Sequence, residues 1–147
     1  MHNLVDELSD MCKDMSHMAV YFGEHVMVDG YGGTPALLNN KKLVRSCLDE
    51  ICELMKMYAL GPSRIYRAPD NHMKDPGGWS GFIVIAESHI SIHTFPRRQF
   101  LSADIYSCKE GIDANFFADF VKKKFKLEEV EMNFFKRGKK YPARNIA

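Results

Sequence analysis

The chain has 147 residues, enough for one compact domain with its own core. Apolar residues make up 46% and charged residues 27%, which excludes a disordered or collagen-like chain. Twenty Lys and Arg against nineteen Asp and Glu leave a formal charge of +1, so bulk charge does not drive nucleic-acid binding. Four cysteines are too sparse for a disulfide scaffold, and no apolar run approaches the ~20 residues that span a bilayer. The start, MHNLVDELSDMCKDM, carries early acids and no apolar segment, unlike a secretion signal. A cytoplasmic protein with neither nucleic acid nor membrane as partner is expected.

Leu4, Leu8, Met11, Met15, Met18 and Ala19 recur at helical spacing and predict an amphipathic helix over 3–21. HVMVDG (25–30) reads as a short strand, and GYGGTP turns the chain after it. Leu43, Val44, Cys47, Leu48, Ile51, Leu54, Met55 and Tyr58 fall on one face and predict a helix over 40–59, ended by Gly61-Pro62. Residues 64–67 suggest a short strand. APDNHMKDPGGWS (68–80), with two Pro and two Gly, reads as a loop.

Three strands follow in close order: GFIVIAE (81–87), SHISIHTF (88–95) and FLSADIYSC (100–108). The second alternates strictly, with Ser88, Ile90, Ile92 and Thr94 on one face and His89, Ser91, His93 and Phe95 on the other. A helix over 113–125 has Asp113 as its N-cap and Phe116, Phe117, Phe120, Val121 and Phe125 as its apolar stripe. LEEVEMNFF (127–135) alternates again, and a basic tail ends the chain. The central strands lie too close in sequence for crossover helices. The expected fold class is therefore α+β, an antiparallel sheet layered with helices.

The cysteines form no C-x-x-C pair. Cys47 and Cys52 do not share a helical face, so a thiolate zinc site is not expected. His89 and His93 share a strand face and could ligate a metal with a third group, but no second ligand cluster is visible in the sequence. Ser88 beside His89 and His93 also suggests a nucleophile with a base, without the G-x-S-x-G elbow of an ordinary hydrolase.

GFIVIAESHISIHTFP followed by DIYSC resembles the small prokaryotic S-adenosylmethionine decarboxylases. The matching residues are Glu87-Ser88-His89, His93-Thr94-Phe95-Pro96 and Cys108, with His93 five and Cys108 twenty positions after the serine. The resemblance covers about 23–140. It divides the chain into an extension (1–22) and a decarboxylase domain (23–147). It implies a proenzyme of the S-adenosylmethionine decarboxylase-like α/β sandwich fold that cleaves itself between Glu87 and Ser88. The products would be chains 1–87 and 88–147, with Ser88 converted to a pyruvoyl group. That group would form a Schiff base with the substrate amine and act as an electron sink. No metal and no PLP are implied. Ser80 and His93 would assist self-processing, Glu87 would serve as cleavage site and pocket residue, and Cys108 would protonate the product carbanion, since a thiol keeps an available proton near neutrality.

Ser88 and His93 are an odd number of residues apart, so a regular strand points them to opposite faces, ~16 Å apart at ~3.3 Å per residue. The related eukaryotic enzyme resembles two fused copies that split these roles between halves. Together these favour a homodimer whose two composite sites each join Ser88 and Cys108 of one copy to Ser80 and His93 of the other.

Arg97 departs from the pattern: family members usually carry a Glu there that binds the substrate's ribose hydroxyls. Lys74 takes the loop position of an adenine-stacking aromatic. The expected substrate contacts are Arg97, Lys74, Asp75 and Phe95. S-adenosylmethionine is the first expectation. The alternative is a basic amino acid, L-arginine or L-ornithine, whose distal cation could use Asp70, Asp75 or Asp29. A solvated hairpin turn accounts for Arg97 and Arg98 as well. A third reading is an uncleaved, non-catalytic regulatory partner.

Overall fold

A computed structural model describes residues 21–147, so the helix expected over 3–21 lies outside the described residues but for its last position. Among the described residues six strands make one sheet: β1 (Gly23–Tyr31), β2 (Arg64–Ala68), β3 (Gly78–Ile85), β4 (Ser88–Phe95), β5 (Phe100–Ser107) and β6 (Glu129–Arg137). Their order is β2-β3-β4-β5-β1-β6, and every neighbouring pair is antiparallel. Three helices among the described residues complete this part of the chain: α1 (Pro35–Leu38), α2 (Lys41–Leu54) and α3 (Ala114–Phe125). No helix among the described residues is long and apolar enough to cross a membrane.

Alternation along the strands builds two unlike faces. Val26, Val28, Ile83, Ile85, Ile90, Ile92, Leu101, Ala103 and Ile105 point one way and are buried. Val44, Cys47, Leu48 and Ile51 of α2 close over them, as do Phe117, Val121 and Phe125 of α3. The α+β sandwich is thus a helix layer on one face of the sheet. The opposite face carries Tyr66, Phe82, Val84, Tyr31 and Phe135, all partly exposed.

Several element boundaries differ from expectation. Helix α2 ends at Leu54 rather than near Gly61, and Tyr58, expected on its apolar face, is 73% exposed. Met55 caps the helix, and the chain returns to the sheet through the Ala59–Ile85 bridge and a hydrogen bond from Leu60 N–H to Val84 O. Strand β3 begins at Gly78, not Gly81, so Trp79 and Ser80 belong to the sheet and not to the loop. Gly78 makes this possible: a Cβ there would lie 1.8 Å from Thr94 O, so only glycine lets the two strands approach this closely. The last strand runs two residues past Phe135. Helix α3 follows expectation, with the Asp113 carboxylate accepting from Phe116 N–H at 2.9 Å.

Candidate active site

The β3–β4 hairpin turns at Ala86-Glu87, so Glu87 and Ser88 stand at one end of it. Ser88 opens β4 with φ +120°, a backbone conformation rare for any residue with a side chain. The strand is not regular there, although Ser88 still pairs with Ser107 and His93 with Ser102 in the ladder. The Ser88 hydroxyl lies 3.4 Å from Nδ1 of His89. Distance along β4, about 16 Å at ~3.3 Å per residue, still separates Ser88 from His93.

The carbonyl oxygen of Glu87 accepts a hydrogen bond from the backbone N–H of Cys108 at 3.3 Å. Cys108 follows directly on β5, where Ser107 pairs with Ser88, and Cys108 is exposed. The loop after it is pinned from below: buried Glu24 accepts from Gly111 N–H at 3.1 Å and Ile112 N–H at 2.8 Å. The peptide between Glu87 and Ser88 therefore has a hydroxyl, a polarising donor on its carbonyl and a thiol-bearing residue gathered around it.

Ser80 and His93 form a separate pair at the other end of the hairpin. They face each other in the ladder, with Ser80 Oγ 2.9 Å from His93 Nδ1. His93 is exposed on the open face of the sheet. Within one chain the structure brings Glu87, Ser88 and Cys108 together and holds Ser80 with His93 elsewhere.

Lys74, Asp75 and Phe95 line one cavity of about 570 Å³ together with Tyr31, Asn71, Arg98 and Phe100. Its aromatic wall is continuous, with ring centroids 5.5 Å apart for Phe95–Phe100 and 5.4 Å for Tyr31–Phe100. Arg97 is not on this wall. It sits in the Pro96–Arg98 turn, 75% exposed, and donates to Asp70 at 3.1 Å. Asp29 lies on β1, paired with Ser102.

Sequence reasoning missed His25 and Asp104. Asp104 sits mid-sheet on the open face, and its Oδ2 lies 2.6 Å from His25 Nε2 and 3.2 Å from His89 Nε2. Ser91 donates to its other oxygen. Burial pushes the Asp104 carboxyl up, but the hydrogen bonds from Ser91, His25 and His89 outweigh it and hold it below the usual carboxylate value. The ligand atoms of His25, His89 and Asp104 lie within 4.8 Å of one another, close enough to hold a metal ion. His89 therefore works with residues of β1 and β5, not with His93. The available signal was a lone carboxylate inside an otherwise apolar and small-residue strand, FLSADIYSC.

Residues 24–138 match the family model described as S-adenosylmethionine decarboxylase. The chain is similar to an S-adenosylmethionine decarboxylase proenzyme of Moorella thermoacetica, 32% identical over 116 residues that cover 79% of this chain and 87% of the relative. A proenzyme of the same description from Acetivibrio thermocellus is 30% identical, with 79% of this chain and 88% of the relative covered. The fold is similar to the crystal structure of the adenosylmethionine decarboxylase from Aquifex aeolicus, with a TM-score of 0.69 at 24% identity, covering 82% of this chain and 93% of that one. The family match runs from the second residue of β1 to just past β6, taking in the β3–β4 hairpin and Cys108, and the chain belongs to the S-adenosylmethionine decarboxylase family.

Proposed function

We infer that this chain is a self-processing decarboxylase whose substrate is S-adenosylmethionine, serving polyamine biosynthesis. The observation that carries the reading is the peptide between Glu87 and Ser88. Its carbonyl is already hydrogen-bonded by Cys108 N–H, and its serine is held at φ +120°. Such a conformation costs on the order of 1–3 kcal/mol, and cleavage of the peptide releases it.

In processing, the Ser88 hydroxyl attacks the Glu87 carbonyl carbon. The Oγ–C bond forms, the C–N bond breaks, and the freed amine takes the hydroxyl proton. Cys108 N–H stabilises the oxyanion on the way. Loss of the Ser88 Cα proton then expels the upstream chain as a carboxylate. Water completes the change to a pyruvoyl group and ammonia. The resulting chains are 1–87 and 88–147. The new N-terminus stays fixed because β4 is paired with β3 on one side and β5 on the other. A pyruvoyl group at position 88 supplies a carbonyl electron sink for loss of CO₂. Cys108, exposed beside it, returns a proton to the product carbon.

The working unit is a homodimer with two composite sites. Ser88 and Cys108 stand at one end of β4, and Ser80 and His93 at the other, so a single chain cannot bring them together. A two-fold axis through the open faces sets each end of one copy against the opposite end of its mate. The exposed Tyr66, Phe82, Val84 and Phe135 give that contact an apolar surface. Ser80 and His93 of the mate then assist processing, and the aromatic cavity at Phe95, Lys74 and Asp75 receives the nucleoside.

Arg97 does not favour the basic-amino-acid alternative, because Asp70 is already its partner. Asp75 is likewise engaged, accepting from Gly77 N–H at 2.8 Å. Carboxyl-labelled S-adenosylmethionine, arginine and ornithine, each incubated with the processed protein, test the reading. Labelled CO₂ is expected from S-adenosylmethionine. Release from arginine or ornithine alone would overturn the substrate assignment.

A further inference from the structure

Ser88 needs a base when it attacks Glu87, and Ser80 and His93 of the same chain are at the wrong end of β4. Among the described residues, the basic group within hydrogen-bond reach of the Ser88 hydroxyl is the His89 ring, at 3.4 Å. Its hydrogen-bond partners assign its tautomer. Nε2 faces the Asp104 carboxylate, which only accepts, so Nε2 carries the proton and Nδ1 is left free to accept from the serine. His25 is fixed in the same way. Arg137 donates to its Nδ1 at 3.3 Å, so its Nε2 donates to Asp104.

The register explains the convergence. His25 on β1 and His89 on β4 both pair with Tyr106 of β5, from opposite sides, and Asp104 is the next residue on that face. The Tyr106 ring forms a floor, 5.3 Å from the His25 ring and 6.0 Å from the His89 ring, with the Arg137 guanidinium 4.0 Å from its centre. Three strands thus gather one carboxylate and two imidazoles, and of these His89 reaches the Ser88 hydroxyl.

We propose that His89 is the base that activates Ser88 for self-processing, with Asp104 as its orienting partner and His25 as the second donor that fixes the Asp104 oxygen. The inference rests on the self-cleavage reading above. The serine proton passes to His89 Nδ1 as Oγ bonds to the Glu87 carbonyl carbon. It passes on to the departing Ser88 nitrogen as the C–N bond breaks. For this attack step the relay lies within one chain, and the help of the mate's Ser80 and His93 falls on the elimination that follows. The charged and titratable groups facing His89 are Asp104 and Tyr106 of β5, His25 of β1 and, behind His25, Arg137 of β6.

Cell-free synthesis of the full chain, sampled by intact mass over time, tests this. His89→Ala is expected to slow cleavage by at least ~100-fold, and added imidazole to restore much of the rate. Asp104→Asn is expected to slow it by ~100-fold as the ring loses its orientation. A chelator should change nothing, because the trio acts here as a relay and not as a metal site. Cleavage of His89→Ala at the wild-type rate overturns the proposal. So does a slow variant that imidazole leaves slow, and so does cleavage abolished by chelation. If the wild-type chain never splits, the self-cleavage reading falls and takes the relay with it. If the wild type splits and His89→Ala keeps pace, the relay alone falls.

Discussion

Ser80 and His93 are directly opposite each other in the β3–β4 ladder, 2.9 Å from Oγ to Nδ1, and both lie at the far end of that hairpin from Ser88. The pair is preformed within one chain, while its proposed reaction partners are not beside it. That separation leads to a test by mixing. Ser88→Ala and His93→Ala are each expected to be inactive alone. Co-expressed, they form mixed dimers with one site intact, and about a quarter of wild-type activity should return. No recovery in dimers shown by mass to be mixed would contradict composite sites.

Cys108 differs from the other described cysteines in its surroundings. Cys47 is fully buried, and burial pushes its thiol up to about 12; Cys52 is buried and donates to Met57 O at 3.3 Å. Among these three, iodoacetamide at neutral pH should modify Cys108 first, read by peptide mass. Cys108→Ala should still cleave between Glu87 and Ser88, because its backbone N–H remains, but turn over ~100-fold more slowly. Full turnover in that variant would remove the thiol from the reaction.

The aromatic wall of Tyr31, Phe95 and Phe100 suits a flat heterocycle. Phe95→Ala should raise KM for S-adenosylmethionine about tenfold, with kcat changed less, consistent with about 1.4 kcal/mol of lost contact. Steady-state kinetics on the cleaved protein check this. An unchanged KM would move the nucleoside elsewhere.

Much of this arrangement was legible from the residues. The helical spacing of Val44 to Ile51, the alternation of SHISIHTF and the Asp113 cap each act locally, and the fold keeps them. The overextension of α2 to residue 59 came from Met55 and Tyr58, apolar residues that continue the period after the backbone has left the helix. Trp79 and Ser80 were hidden by their Pro-Gly-Gly neighbours, because the close approach to Thr94 that glycine permits is a tertiary fact. Motif spacing marked Ser88, His93 and Cys108. His25 and Asp104 lie 79 residues apart and meet only through β1–β5 pairing, which no local pattern announces.

Asp104 also links stability to pH. Its folded-state value is lowered, so the unfolded chain binds the proton more readily. The stabilisation is present above the ordinary carboxylate value, about 3.9, and is lost as pH falls through the lower folded value. Urea midpoints of wild type and Asp104→Asn should therefore differ most near pH 6 and converge toward pH 3. A gap that widens in acid would contradict the shift.

Intact mass reads self-cleavage at Ser88 directly. The purified wild-type protein should give two chains divided between Glu87 and Ser88, covering 1–87 and 88–147, the second beginning with a pyruvoyl group in place of serine. Ser88→Ala should give one chain. A single uncut wild-type chain of 16.9 kDa, or two fragments from Ser88→Ala, would contradict self-processing at Ser88.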